Sequence, residues 1–282
     1  MKRIFLSLFL ALHVLSLLAQ YDSLNFVNAP WETKNIAKGI TLKHYHFTGN
    51  SLFGANQNIT ILDIQVKGRI RLKLGYEKQV LKPTSEFGKS AGAVAALNGT
   101  FFDVKNGGSV DYIKVNDSVI SPNRLGKNNT RSPRQNAALV IRKGRLQVAK
   151  WDGSANWEST LKAPDVMVAG PLLVLHRQPE IIDTGSFNRL RHPRSAIAVL
   201  GKKRVLFITV DGRHENSAGM SLFELRQVLL WLKAKEGINL DGGGSTTLWT
   251  YNEGILNYPS DNKKWDHEGE RKVANVVLVM QK

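Results

Sequence analysis

The chain contains no cysteine. That excludes disulfides and a lipid anchor on an N-terminal cysteine, so an exported form must be held together by its apolar core alone. Acidic residues are scarce, with 23 Asp and Glu against 39 Lys and Arg and a formal net charge of +16. Beyond the first twenty positions no apolar run approaches the ~20 residues of a membrane span. Nucleotide signatures are missing too. There is no G-x-x-x-x-G-K-[ST] loop, and no glycine cluster opens a helix as a dinucleotide loop does. Nor is there a recognition-helix pattern or an aromatic-interleaved basic stretch, which argues against nucleic acid as a partner.

What is present begins with MKRIFLSLFLALHVLSLLAQ. Lys2 and Arg3 precede an apolar stretch, Ile4 to Ala19, broken only by Ser7, His13 and Ser16. This is a secretory signal peptide pattern over residues 1–19. It predicts a secreted or periplasmic protein with no stable membrane insertion after signal removal. Losing Lys2 and Arg3 takes the charge from +16 to +14. The cations are unevenly placed. Residues 121–150 and 186–204 carry many and no acid. Such fields attract anions, and a small phosphorylated sugar or an anionic glycan suits an exported chain.

The 282 residues, 42% hydrophobic, suffice for one large domain or two small ones. Residues 20–37 read as a loosely structured lead-in. Alternation and β-branched content predict strands at 40–47, 58–66 and 69–75, and buried strands at 93–97 and 137–141. Residues 166–175 are strand-like but broken at Gly170–Pro171. Further strands fall at 195–200, 204–210 and 273–280. One helix is strongly signalled. Ser221 and Glu224 form a capping box, Leu222, Leu225, Leu229 and Leu232 follow at helical spacing, and Gly237 ends it. The expected class is α+β: a strand-rich mixed sheet with few helices and a β-α-β crossover. Residues 20–89 form a β-rich lead-in within the same domain as 90–282.

The segment 204–249 reads strand, loop, helix, strand. A crossover of this kind makes its two strands parallel. Asp211 and Asp241 each follow a strand end, so both carboxylates are expected at one rim of the sheet, where α/β crevices bind ligands. Asp241 opens NLDGGGSTTLW. Gly242, Gly243 and Gly244 permit a sharp turn, and N–H groups without a neighbouring Cβ can cradle anionic oxygens. Ser245 and Thr246 add hydroxyls. In ALNGTFFD, Asn98 and Thr100 are candidate sugar ligands, and Phe101 or Phe102 a surface for its apolar face. Arg194, just before a strand, suits bidentate phosphate binding. His44 and His46 share a strand face, but two histidines without a third ligand make a poor metal site.

Six segments in order, ALNGTFFD, AGPLLV, RHPRSAIAV, VDGRHENSAGMSLFEL, INLDGGGSTTLW and ERKVANVVLV, resemble the phosphodiester glycosidase family over residues 90–282. The resemblance implies cleavage of a sugar from a sugar-1-phosphodiester at the anomeric carbon. An ordinary glycosidase must protonate a poor alkoxide leaving group. Here the leaving group is a phosphomonoester with a second pKa of about 6. It departs with little protonation once its charge is neutralised, a role for Arg194, Arg213 and the glycine-loop N–H groups. Asp241 or Asp211 then serves as nucleophile or as base for water, and the assignment stays open. No cofactor is implied, and a divalent cation between the two aspartates is the lesser reading. Two alternatives remain: a non-catalytic module binding anionic glycans, and a phosphodiesterase attacking at phosphorus.

Overall fold

The apolar runs become strands of three larger antiparallel sheets in a computed structural model that describes residues 20–281. The predicted signal peptide lies outside the described residues. The main sheet has eight strands in the order 32–37, 40–52, 55–65, 204–210, 194–201, 236–239, 172–175 and 178–179. Two five-stranded sheets pack on one face of it. One centres on Asp165–Ala169, the other on Ala95–Asn98 and Asn275–Gln281. Leu62, Ile64 and Phe207 of the main sheet meet Leu139, Met167, Leu97 and Val277 of the small ones in one core.

The other face of the main sheet carries the helix Leu222–Trp231. Ser221 accepts from the Glu224 N–H while the Glu224 carboxylate accepts the Ser221 N–H, so two end donors are satisfied reciprocally. Leu222, Leu225, Val228 and Leu229 pack against Ala196 and Ile208. Helix and sheet approach closely where Gly237 has no side chain: a Cβ there would lie 2.8 Å from Leu229. The helix ends at Trp231, six residues before Gly237, because Glu236 and Gly237 enter the next strand, Glu236–Asn239.

This is the expected strand-rich α+β architecture with its crossover. Strands Arg204–Val210 and Glu236–Asn239 both pair antiparallel with Arg194–Gly201, which lies between them. They therefore run parallel to each other without being hydrogen-bonded, and their C-terminal ends share one edge.

The lead-in is more ordered than its composition predicts. Residues 20–27 are helical and Glu32–Ala37 is an edge strand. Phe26, almost fully buried, holds this segment through Trp31, Phe47 and Trp231. A second unpredicted helix, Thr84–Ala91, carries a glycine in its middle, which weakens a helix by about 0.5–1 kcal/mol relative to alanine. Its reason is tertiary. The Trp249 ring lies on Gly88, where a Cβ would come within 2.2 Å of it.

Candidate active site

Asp241 is bound into place from two sheets. Its N–H donates to the Gly99 carbonyl at 3.0 Å, and its own carbonyl accepts the Asn98 Nδ2 at 2.7 Å. The preceding Leu240 N–H donates to Ser195 in the main sheet. The residue keeps partial exposure although protein surrounds its carboxyl. That burial pushes the carboxyl up to about 6, against the Ser245 hydroxyl, the Gly242 N–H and the charges of Arg271 and Arg134.

Each glycine of the triplet has a group pressed against it. A Cβ on Gly242 would meet the Pro193 carbonyl at 2.6 Å. Gly243 has φ +62° and would meet the Arg213 guanidinium at 2.9 Å. Gly244 would collide with Asp261 and, at 2.5 Å, with Arg271. The missing side chains thus admit two guanidinium groups to the loop beside Asp241. The loop N–H groups are less available than the sequence predicts. That of Gly243 donates to Pro193, and that of Gly242 to the Asp241 carboxylate at 3.0 Å.

Asp211 stands at the same edge, but its carboxylate is turned inward and is 1% exposed. One oxygen accepts the Asn257 Nδ2 and the Tyr258 N–H, both at 2.9 Å, and the other accepts the Asn58 Nδ2 at 2.8 Å. Burial nevertheless raises it to about 6. Asn257 also donates to the Thr246 carbonyl, tying Asp211 to the end of the glycine loop. Three N–H donors occupy directions a cation would need. Among the described residues no three His, Asp or Glu side chains converge. His44 and His46 instead bond Asn58 and the Asn216 carbonyl.

Several predicted ligands turn out to hold the site rather than face it. Asn98 is fully buried, its Oδ1 accepting from Ser195 and from the Thr247 N–H. The Thr100 hydroxyl donates to Asp111 at 2.6 Å. Phe102 points into the core beside Phe87 and Trp249, so the sugar-facing role predicted for it is corrected. Adjacent Phe101 is the partly exposed ring, edge-on to Phe187 at 5.9 Å. Arg194 is 1% exposed, and its Nε and one Nη donate to the carbonyls of Met220, Phe187 and Leu190. Two of its three nitrogens are therefore structural, which narrows the bidentate role predicted for it. Burial lowers its pKa to about 10. Ser245 and Thr246 are buried in the loop, and Arg213 is exposed.

Three further charged residues complete the site. Asp111 is 2% exposed, accepts from Thr100 and from Gln135 at 2.7 Å, and is raised to about 6, chiefly by burial with the Asp241 charge adding to the rise. Arg134 lies over Phe101 at 4.8 Å and Phe187 at 5.3 Å, and its charge acts on both Asp111 and Asp241. Arg271 is paired with Asp261. Among the described residues neither Arg134 nor Arg213 has a carboxylate partner. The only sequence signal for Asp111 is a lone acid in an apolar alternation, SVDYI; Arg134 is one cation among many in 121–150. The result is one partly exposed aspartate, a buried acid close enough to feel its charge, and two unpaired guanidinium groups, that of Arg134 over aromatic rings.

A model of the phosphodiester glycosidase family matches residues 91–280. The bovine N-acetylglucosamine-1-phosphodiester alpha-N-acetylglucosaminidase is 30% identical over 215 residues, 69% of this chain and 38% of that protein. The human protein of that name is 35% identical over 106 residues, 36% of this chain and 20% of its own length. The chain thus spans well under half the length of these relatives. Among solved structures, the zebrafish catalytic domain of that name, auto-inhibited by its pro-peptide, aligns with a TM-score of 0.65 at 20% identity, over 90% of this chain and 85% of that one. A hypothetical protein from Synechocystis aligns at 0.64 and 18% identity, over 90% of this chain and 64% of its own. At these identities the two structures establish the fold.

Proposed function

Because the chain belongs to the phosphodiester glycosidase family, we propose that it hydrolyses the C1–O bond of a glycosyl-1-phosphodiester. Water adds to the anomeric carbon, and the C1–O electron pair leaves on the phosphate oxygen. The products are a free sugar and a phosphomonoester. The observation that carries this reading is Asp241: a partly exposed residue with a desolvated carboxyl, at a rim where among the described residues Arg134 and Arg213 lack carboxylate partners. A phosphomonoester leaving group needs charge neutralisation more than a proton, and such guanidinium groups supply it. Asp241 acts on the sugar as nucleophile or as base for water. Asp211 acts through Asn257 on the loop, and Asp111 tunes the proton affinity of Asp241. Phe101 and Phe187 offer the apolar face for a sugar or aglycone. The chemistry uses no cofactor.

The same proposal includes export of the chain, which rests on residues 1–20 of the sequence. It also treats 20–89 and 90–282 as one catalytic unit, since residues 59–65 of strand Ala55–Gln65 pair with all of Arg204–Val210. In water enriched in oxygen-18, the expected result is label in the free sugar and none in the phosphate product. Label in phosphate means attack at phosphorus and overturns the assignment. Binding of an anionic glycan without turnover places the chain among non-catalytic modules.

A further inference from the structure

At the end of the sandwich remote from Asp241, three turns meet, two of them hairpins and one a connection between sheets. They are the 66–69 turn, Arg142–Arg145 and Gly201–Arg204. Arg204–Val210 starts at this end and finishes beside Asp211, a span of roughly 20 Å at about 3.3 Å per residue. Between the turns lies a cleft of about 620 Å³, within the size range of small-ligand sites. Its cations are Lys67, Arg71, Arg142, Lys143, Arg145 and Lys203, and among the described residues no carboxylate lines it.

The frame around these charges is built rather than loose. The Val66 N–H donates to the Lys203 carbonyl at 2.8 Å, and the Leu72 N–H to the Gly144 carbonyl at 2.9 Å. The Arg71 stem lies against the backbone of Gly144, where a Cβ would come within 2.2 Å of it, and its Nη1 donates to the Gly68 and Ile70 carbonyls. Cross-tied turns hold like charges close together, which destabilises the fold by repulsion unless an anion relieves it. Cations just outside the cleft are neutralised internally: Arg204 by Asp63 and Lys235 by Glu236. Among the described residues none of the six inside it forms an ion pair. Apart from Val66 and Gly68 every lining residue is a cation or Gln147, so recognition here is by charge.

We propose that this cleft is a second anion site, separate from the reacting centre, that takes a compact soluble ligand carrying two or more phosphate groups. Concavity favours such a ligand over a flat membrane surface. The two acid-free basic stretches of the sequence supply four of its six cations: Arg142, Lys143 and Arg145 from one, and Lys203 from the other. The inference does not depend on the hydrolytic assignment.

The test is calorimetric titration of the full chain with sodium tripolyphosphate at about 50 mM salt, where screening is modest. Three proteins are compared: wild type, a Lys143→Ala/Arg145→Ala/Lys203→Ala variant, and an Arg134→Ala/Arg213→Ala variant altered at the other end. Removing three exposed cations should weaken binding by about 10- to 100-fold. The other variant should keep wild-type affinity for this site. Lys143→Arg/Lys203→Arg, which retains the charge, should keep it as well. Unchanged affinity in the triple-alanine variant, or no binding by wild type, overturns the proposal. So does binding confined to vesicles containing anionic lipid, which would make this end a membrane surface.

Discussion

Replacing Asp111 with asparagine should separate the charge of this buried acid from its shape. In the folded protein its two oxygens accept from Thr100 and Gln135. An asparagine can keep both contacts: its Oδ1 accepts from Gln135, and its Nδ2 donates to the Thr100 hydroxyl, which then acts as acceptor. What disappears is the charge. Burial lifts the Asp111 carboxyl from 3.8 to about 6, a difference that corresponds to about 3 kcal/mol favouring the neutral form. The folded pKa lies above the unfolded one, so the native state holds an extra proton between those two values. Stability from this group is therefore fully present below about pH 4 and is lost as pH rises through about 6. Urea unfolding at about pH 4 should find variant and wild type alike. At about pH 8 the variant should be more stable by about 1–3 kcal/mol. An equal difference at both pH values, or none at either, refutes the claim that Asp111 is a desolvated charge. Activity supplies a second readout. Removing a neighbouring negative charge makes Asp241 easier to ionise, so the acid limb of kcat/KM should move to lower pH; movement to higher pH contradicts the coupling.

Asp241→Asn should reduce turnover by orders of magnitude with little loss of stability, as expected when a nucleophile or base is removed; near-wild-type kcat would remove Asp241 from the chemistry. Asp211→Asn behaves differently from Asp111→Asn, because three donors face its carboxylate. The new amide opposes the Asn58 Nδ2, and thermal unfolding should show a loss of about 1–3 kcal/mol. Phe102→Ala should destabilise by about 3–5 kcal/mol. Phe101→Ala should instead raise KM with little change in unfolding, and the reverse pattern in this pair would invert their placement. Gly243→Ala forces a side chain into φ +62° against Arg213, costing about 1–2 kcal/mol in urea unfolding and weakening substrate through displacement of that guanidinium.

The main strands, the capping-box helix and the shared edge of Asp211 and Asp241 are legible in the sequence because each rests on a local or periodic signal. Strands Ala55–Gln65 and Arg204–Val210 are apolar on both faces because sandwich core lies on one side and helix on the other. The helix Thr84–Ala91 carries no such signal, since its glycine and small residues make sense only under Trp249. Site residues divide along the same line. Asp241 announces itself through three glycines, whereas Asp111 and Gln135 are joined only by folding. Asn98, Thr100 and Phe102 illustrate a second limit. A polar turn after an apolar strand marks a place near the site, but strand alternation does not extend through the turn, so the side that each residue faces is fixed only by its partners. There Phe101 takes the partly exposed side and Phe102 the buried one, a choice that the sequence leaves open.

The glycine triplet connects the local anomaly to the chemistry. Three successive residues without side chains lose much backbone entropy on folding, and a tight turn alone accounts for one of them, Gly243 at φ +62°. The other two are explained by what touches them: the Pro193 carbonyl on Gly242, and the Asp261–Arg271 pair on Gly244. Pro193 immediately precedes the strand that separates the two crossover strands, so its contact fixes the loop to the middle of the main sheet. Arg213 and Arg271 come from segments on either side of the loop in sequence, and both reach it because no Cβ intervenes. Asp241 gains its surroundings from the same packing. The loop that buries the carboxyl and raises it to about 6 also brings positive charge alongside. Proton affinity and charge compensation at this rim are therefore not independent properties. A side chain at Gly244 would displace Arg271 and loosen the burial of Asp241 together. Gly244→Ala should accordingly change both the acid limb of the pH profile and the affinity for an anionic substrate, whereas Arg271→Lys, which keeps the charge and leaves the glycine intact, should shift the pH limb far less.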